Sequence, residues 1–134
     1  MRISKKKIIS VIILLFSLIG LICGAVYLKN VADYKRAIGE TTFDEIDIAD
    51  VSDGTYIGEY DVNFIYAKVE VTVEDWEIVS INILEHRHER GKAAEKVIEK
   101  IIEEQKIDVD AVSGATNSST VIKKAVENAL KGGL

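Results

Sequence analysis

Residues 65–83, IYAKVEVTVEDWEIVSINI, decide the fold of this chain. Apolar residues occupy every second position of the first half, with polar or amphipathic residues between them: Ile65, Ala67, Val69, Val71 and Val73 alternate with Tyr66, Lys68, Glu70 and Thr72. A period of two is that of a strand with one buried face. The alternation returns at 79–83 after a break at 74–75, so we expect an antiparallel hairpin with Trp76 near its turn.

A further strand and two helices are expected around this hairpin. Asp53-Gly54 is a turn signal in front of β-prone residues, so the sheet is expected to begin there. Residues 89–105 predict a helix, because apolar residues recur three and four positions apart. Its apolar stripe comprises Ala94, Val97, Ile98, Ile101 and Ile102. A second helix is expected from residue 118 or 119 to Leu130, followed by two glycines that end it. The order predicts an α+β fold, a small antiparallel sheet packed with two helices.

The N-terminal segment has the length and composition of a membrane span. Residues 8–28 contain no charged side chain, and a helix of that length extends about 31 Å, close to the ~30 Å hydrocarbon core of a bilayer. A cleaved signal peptide is the alternative, but its apolar region is usually ~7–15 residues long, and Cys23-Gly24-Ala25 is a weak cleavage site. The basic residues of 1–7 are expected to stay in the cytoplasm by the positive-inside rule. We therefore expect a single-pass anchor with the C-terminal domain outside the cytoplasm.

Charge is strongly segregated along the chain. Residues 1–29 hold five of the 17 basic residues and none of the 22 acidic ones, so residues 30–134 carry 12 basic and 22 acidic side chains, a formal charge of −10. This argues against nucleic-acid binding, which draws affinity from Lys and Arg on phosphates. The single cysteine excludes a disulfide within the chain, and one thiol is too few for a cysteine zinc site or an iron–sulfur cluster.

These features divide the chain into four expected parts. They are a cytoplasmic basic tail at 1–7, a transmembrane anchor at 8–28, a stalk at 29–52 and an extracytoplasmic domain at 53–131. The stalk is expected to continue the helix through Ala37 and to become an irregular, acidic tether between Gly39 and Asp50. Such a tether would let the domain swing between partners in the membrane and partners outside it.

The segment between the two predicted helices, DVDAVSGATNSST at 108–120, carries the chemistry. Five of the eight residues from 113 to 120 bear hydroxyls, and Gly114 lets the backbone approach a ligand closely. The segment opens a helix, whose free N–H groups and dipole favour an anion. It contains no lysine and no GxxxxGK[ST] pattern, which argues against a nucleotide triphosphatase. On composition alone, a plain loop in which Ser or Asn caps the helix is the simpler interpretation.

The same segment resembles the signature of a known family. Asp110-Ala111-Val112-Ser113-Gly114-Ala115-Thr116 matches the Asp-x-x-Ser/Thr-Gly-Ala-Thr motif of the FMN-binding domain family. This family includes flavin-bearing subunits of sodium-pumping quinone reductases and related membrane redox complexes. Asn117-Ser118-Ser119, the Asp53-Gly54-Thr55-Tyr56 opening, the long hairpin and the Ala-rich last helix are also similar to the family. The resemblance covers roughly residues 53–131.

The resemblance implies covalently attached FMN. In the family, a separate extracytoplasmic flavin transferase takes FMN from FAD with the help of magnesium and esterifies its phosphate to the last threonine of the signature, here Thr116. The cofactor-binding residues implied in this way are Asp110, Ser113, Gly114, Ala115, Thr116, Asn117 and Ser118. Among them, Asp110 would serve in recognition or in fixing the loop. A threonine hydroxyl is a poor nucleophile without a base, and no histidine lies near Thr116 in sequence. That pattern agrees with activation by an outside enzyme.

One stretch departs from the family. Many members carry a Glu-Thr-Pro-Gly loop near the flavin ring, whereas residues 85–91 read EHRHERG, with Gly91 the one easy match. Three interpretations of His86 and His88 are open: contact with the flavin, a metal site, or simple exposure on a loop. Two histidines two positions apart are a weak metal signal without further ligands, so no metal ligand is assigned.

The sequence therefore predicts a membrane-anchored FMN protein that carries electrons, rather than a complete enzyme, since neither a nicotinamide site nor an acid–base pair in a substrate pocket is evident. Expected partners are the lipid bilayer, the flavin transferase, and redox partners in the membrane or outside the cytoplasm. Two alternatives remain: an anchored binding module with the same fold and no flavin, and an accessory subunit of a larger respiratory complex.

Overall fold

The N-terminal part of the protein is one long helix. The computed structural model describes residues 2–88 and 91–134. Helix α1 runs Lys5–Glu40, and it is long and apolar enough to cross a membrane once. All side chains of the predicted anchor, 8–28, are exposed along it. The chain forms two compact units that meet between Asp33 and Tyr34, so the last two turns of α1 belong to the second unit.

Three antiparallel strands form one sheet in the order β1-β2-β3: β1 is Gly54–Asp61, β2 is Tyr66–Glu74 and β3 is Glu77–Arg87. The predicted hairpin is confirmed, and the apolar set of β2 faces the core, with Ala67 and Val71 fully buried. Asp75 and Trp76 connect β2 to β3 with φ of 51° and 66°. Positive φ at both positions is the pattern of a two-residue type I′ hairpin turn.

Two helices complete the second unit, which confirms the α+β fold. Helix α2, Val97–Glu104, follows a short 3-10 helix at Lys92–Lys96, so the helix expected at 89–105 starts later than predicted; Glu89 and Arg90 lie outside the described residues. Helix α3, Thr116–Lys131, packs across β1 and β2. It begins two or three residues before the predicted start, because Ser118 and Ser119 are buried within its first turn instead of marking its beginning.

Close packing between α3 and β1 depends on Gly58. A Cβ at this position would overlap the backbone carbonyl of Ala125 and the backbone of Ala129. The absence of a side chain therefore allows the helix backbone to lie directly on the strand, which is the close approach that a glycine within a strand often marks.

Residues 34–52 lie against the domain, which differs from the acidic tether expected there. Ile48 and Val51 are 6% and 2% exposed, and a 3-10 helix spans Ile48–Asp50. The partly buried residues of this segment that pack on the core are Tyr34, Ala37, Ile38, Phe43 and Ile46. The sequence pattern does not predict this packing, because single apolar residues separated by acids show neither helical nor strand periodicity.

Candidate functional site

The start of α3 lines a cleft of about 380 Å³. That volume falls within the ~300–1,000 Å³ usual for small-molecule and cofactor sites. Four parts of the chain meet around it: the end of α1, the β1–β2 connection, the turn before the 3-10 helix, and the signature loop. The lining residues are Tyr34, Phe64, Ile65, Gly91, Gly114, Ala115, Thr116, Asn117 and Ser118.

Five of the seven predicted cofactor-binding residues line this cleft, the run from Gly114 to Ser118. Ser113 precedes them in the same turn and is exposed. Asp110 is also exposed but lies outside the lining, and its carbonyl accepts a hydrogen bond from Lys100 Nζ at 3.4 Å. The structure thus brings together the C-terminal part of the signature and separates it from the aspartate that begins the motif.

Helix α3 starts without a side-chain cap. Ala115 occupies the N-cap position and its side chain makes no capping hydrogen bond, so the interpretation of a Ser or Asn cap is wrong. The first helical bond runs from the Ser119 N–H to the Ala115 carbonyl at 3.0 Å. Within the described residues, the backbone N–H groups of 116–118 have no acceptor, and all three residues line the cleft. Uncapped N–H groups at the positive end of a helix dipole form an anion-binding position.

Ser119 holds the loop against the helix. Its fully buried Oγ accepts from the Val112 N–H at 3.0 Å and donates to the Ala115 carbonyl at 2.8 Å. Between these contacts Gly114 has φ of +79°, and open space surrounds its Cα, so a glycine is favoured there for backbone conformation and not for fit. Ser119 therefore fixes the loop while the side chain of Thr116 stays exposed.

The first lysine of α3 along the chain is engaged by residues in front of the signature. Lys123 is 6% exposed; its Nζ donates to Asp108 Oδ1 at 2.9 Å and to the Val109 carbonyl at 2.8 Å. It also lies 4.7 Å from the centre of the Phe43 ring. The ammonium thus secures the chain in front of the signature, and none of the cleft-lining residues that the structure describes is a lysine or arginine.

Two aromatic side chains form one wall of the cleft, and no sequence pattern predicts this wall. The rings of Tyr34 and Phe64 meet edge to face, with centroids 5.2 Å apart. Tyr34 falls in the segment expected to be a stalk, and Phe64 directly precedes the alternating run that begins at Ile65. The available signal was weak: each is an aromatic residue in a short segment without periodicity.

Of the two histidines, His86 lies on the core side of β3, and His88 follows the last residue of that strand. His86 pairs with Ala67 in the β2–β3 register, and its side chain is 1% exposed, so simple exposure on a loop is wrong for His86. Its ring centre is 4.4 Å from that of His88, whose Nδ1 accepts the Gly91 N–H at 3.0 Å. Gly91 in turn lines the cleft, so the pair adjoins the site through one residue. Among the described residues there is no group of three or more potential metal ligands.

Burial lowers the pKa of His86 below its ordinary value, and the neighbouring His88 lowers that pKa further, while Glu95, 3.4 Å away, acts in the opposite direction. The unfolded chain therefore binds more protons than the folded chain at pH values below about 6.5, and folding stability falls as the pH decreases through that range. Lys92 lowers the pKa of Glu95, which places the titration of that carboxylate below the same window.

We expect the thermal midpoint of the full chain in detergent to decrease as the pH is lowered from 7 to 5.5. His86→Gln removes the titrating group, so its midpoint should depend less on pH in this interval, whatever its absolute stability. The measurement is circular dichroism melting at several pH values, with His88→Gln for comparison. An equally steep pH dependence in His86→Gln would assign the effect to other groups.

Together the sheet, the two covering helices and the hydroxyl-rich turn in front of the last helix define a small α+β ligand-binding domain. Residues 65–131 match the model of the FMN-binding domain family, half of the chain, and the chain belongs to this family. The resemblance of the signature is thereby confirmed, and FMN is the ligand that membership assigns to the domain. No match was found among curated proteins.

Proposed function

We propose that this chain is a membrane-anchored electron carrier, with FMN bound covalently through its phosphate to Thr116 on the extracytoplasmic side. One observation carries the proposal: Thr116 is exposed at the first position of the uncapped helix α3, in a cleft of an FMN-binding domain. The basic residues of 1–7 and the positive-inside rule support the orientation.

The groups around Thr116 suit a phosphate that is attached covalently to this residue. Free N–H groups of 116–118 and neighbouring hydroxyls would surround the phosphodiester anion. A helix dipole contributes typically ~0.3–1 kcal/mol to such an anion, which is less than a tenfold gain in affinity. Among the described residues that line the cleft there is no cationic side chain to add to it. An ester bond would therefore retain a cofactor that these groups alone would release.

In the attachment step, the FMN part of FAD is transferred to Thr116. The Thr116 hydroxyl oxygen forms a bond to the phosphorus on the flavin side of FAD, the pyrophosphate bond breaks and AMP leaves. The hydroxyl proton must pass to a base. Asp110 is the only ionisable residue of the signature and lies outside the cleft lining, so the flavin transferase is the source we propose for that base.

The rest of the cleft suits the flavin ring. FMN, when bound, supplies electron transfer, and the protein contributes contacts and the exclusion of water. Tyr34, Phe64 and Ile65 form an apolar and aromatic wall that offers those contacts. We expect the carrier to exchange electrons with redox partners in the membrane or outside the cytoplasm.

The test is expression of the full chain with and without an active flavin transferase. With the transferase, a denaturing gel should show a flavin-fluorescent band at the mass of the chain, and the purified protein should bleach with dithionite and recover in air. Without it, the band should be dark. A dark band despite flavinylation of a second substrate protein in the same cells would overturn the covalent attachment.

A further inference from the structure

Charged residues in the second half of α3 hold the segment that follows α1. The Glu127 side chain is fully buried, and its Oε1 accepts the Asp44 N–H at 2.9 Å. Lys124 Nζ lies 2.7 Å from Glu127 Oε2 and donates to the Thr42 carbonyl at 2.9 Å. Lys131 Nζ lies 2.7 Å from Asp44 Oδ2 and 3.3 Å from Glu127 Oε1. These five residues, Thr42, Asp44, Lys124, Glu127 and Lys131, are called the clamp below.

The contacts of the clamp form only when residues 42–44 lie against α3. A carboxylate removed from water is unfavourable unless it is paired and hydrogen-bonded. The partners of Glu127 come from α3 itself and from the backbone of Asp44, so its Oε1 accepts a hydrogen bond from outside the helix only when the segment is in place. An apolar side chain would have filled the same space. The charged group therefore fixes where this segment lies, a role that buried polar groups have in some proteins.

From the clamp, a continuous set of contacts leads to the cleft. Thr41 Oγ1 donates to the Ala37 carbonyl at 2.6 Å and lies 2.9 Å from the Tyr60 hydroxyl, which connects the end of α1 to β1. Ala37 and Ile38 pack on the core. Tyr34 lies three and four residues earlier, on the same helical face, where its ring meets Phe64 in the cleft wall.

We infer that Tyr34 is a positioning residue of the flavin site and that the clamp, at the far end of α3, sets its place. The inference rests on the proposed function. Thr116 and Glu127 are separated by about 16 Å along the helix, yet the cleft wall is complete only when the chain from Tyr34 to Asp44 is attached. The flavin and the clamp should therefore stabilise each other, because each favours the same position of that segment.

The experiment measures how well the full, flavin-loaded chain shields its cofactor from iodide. Tyr34→Ala should raise the quenching constant severalfold, and Tyr34→Phe, which keeps the ring, should stay near wild type. Glu127→Gln removes the charge without touching the cleft and should raise quenching in the same direction. Glu103→Gln, an exposed carboxylate of α2, is the matched control and should have no effect.

Unchanged quenching in Tyr34→Ala would overturn the positioning role. An effect of Tyr34→Ala without one of Glu127→Gln would overturn the coupling to the clamp. If Glu127→Gln fails to fold, Asp44→Asn and Lys131→Gln, at more exposed members of the clamp, must show the increase instead.

A readout without flavin separates this inference from the proposed function. Lys35 and Arg36 are exposed in the last turns of α1 and are sites for trypsin. Glu127→Gln should speed cleavage there severalfold in the unloaded chain, and Glu103→Gln should not. Equal cleavage rates in the two variants would overturn the clamp, whereas a wild-type chain that never acquires flavin would overturn the proposed function alone.

Discussion

A chain carrying Thr116→Ala is expected to fold as the wild type does and to carry no flavin. The side chain of Thr116 is exposed and makes no hydrogen bond within the described residues, so its removal should change the free energy of unfolding by less than about 0.5 kcal/mol. Alanine is also well tolerated in a helix. The change therefore removes the nucleophile and leaves the cleft intact. The measurement is in-gel flavin fluorescence after coexpression with the transferase.

Thr120→Ala is the matched control. Its hydroxyl is one turn further along α3 and donates to the Thr116 carbonyl at 3.0 Å, so it tests the loss of a neighbouring hydroxyl from the same helix. This variant should stay fluorescent, and Thr116→Ser should retain some attachment, because a hydroxyl remains at the position. A fluorescent band in Thr116→Ala would move the attachment to another residue.

Among the substitutions considered, Gly58→Ala is expected to cause the largest decrease in the free energy of unfolding. The new methyl group would overlap backbone atoms of α3, which cannot move aside as a side-chain end does. Overpacking costs typically ~1–3 kcal/mol, and a clash with backbone belongs at the upper end, about 3 kcal/mol. For a unit of this size, that corresponds to a thermal midpoint lower by roughly 10–20 °C.

Gly39→Ala provides the control for this melting experiment. Gly39 lies in α1 with open space around it, so alanine there should be neutral or stabilising by up to ~1 kcal/mol. A midpoint for Gly58→Ala within a few degrees of wild type would show that α3 does not lie so close to β1.

The sequence was sufficient for the parts of the fold in which one periodic pattern covers a whole element. The alternation of β2 and the apolar stripes of the two domain helices predicted a sheet with helices, and the signature predicted the turn that lines the cleft. The start of α3 was misplaced, because Ser118 looks like a cap in sequence. In the structure it is buried next to Gly91, where a Cβ would overlap its hydroxyl.

The sequence pattern does not reveal that residues 34–52 contribute to the core and to the cleft. Tyr34 lines the cleft, and the backbone of Asp44 binds Glu127. These contacts join segments that are more than 25 residues apart, or elements whose sequence patterns differ. In sequence, Glu127 and its lysines look like the solvated face of an amphipathic helix. The side chain of Glu127 is nevertheless fully buried, because the acidic segment covers it, and no local pattern predicts that contact.

Peptide mapping of the flavin-loaded chain tests the central claim most directly. Trypsin cleavage after Lys106 and Lys123 releases residues 107–123, which include the whole signature. This peptide is expected to carry the mass of one FMN less one water, with fragment ions that place it on Thr116. An unmodified 107–123 peptide from protein that contains flavin, or a modification on another hydroxyl residue, would contradict the account.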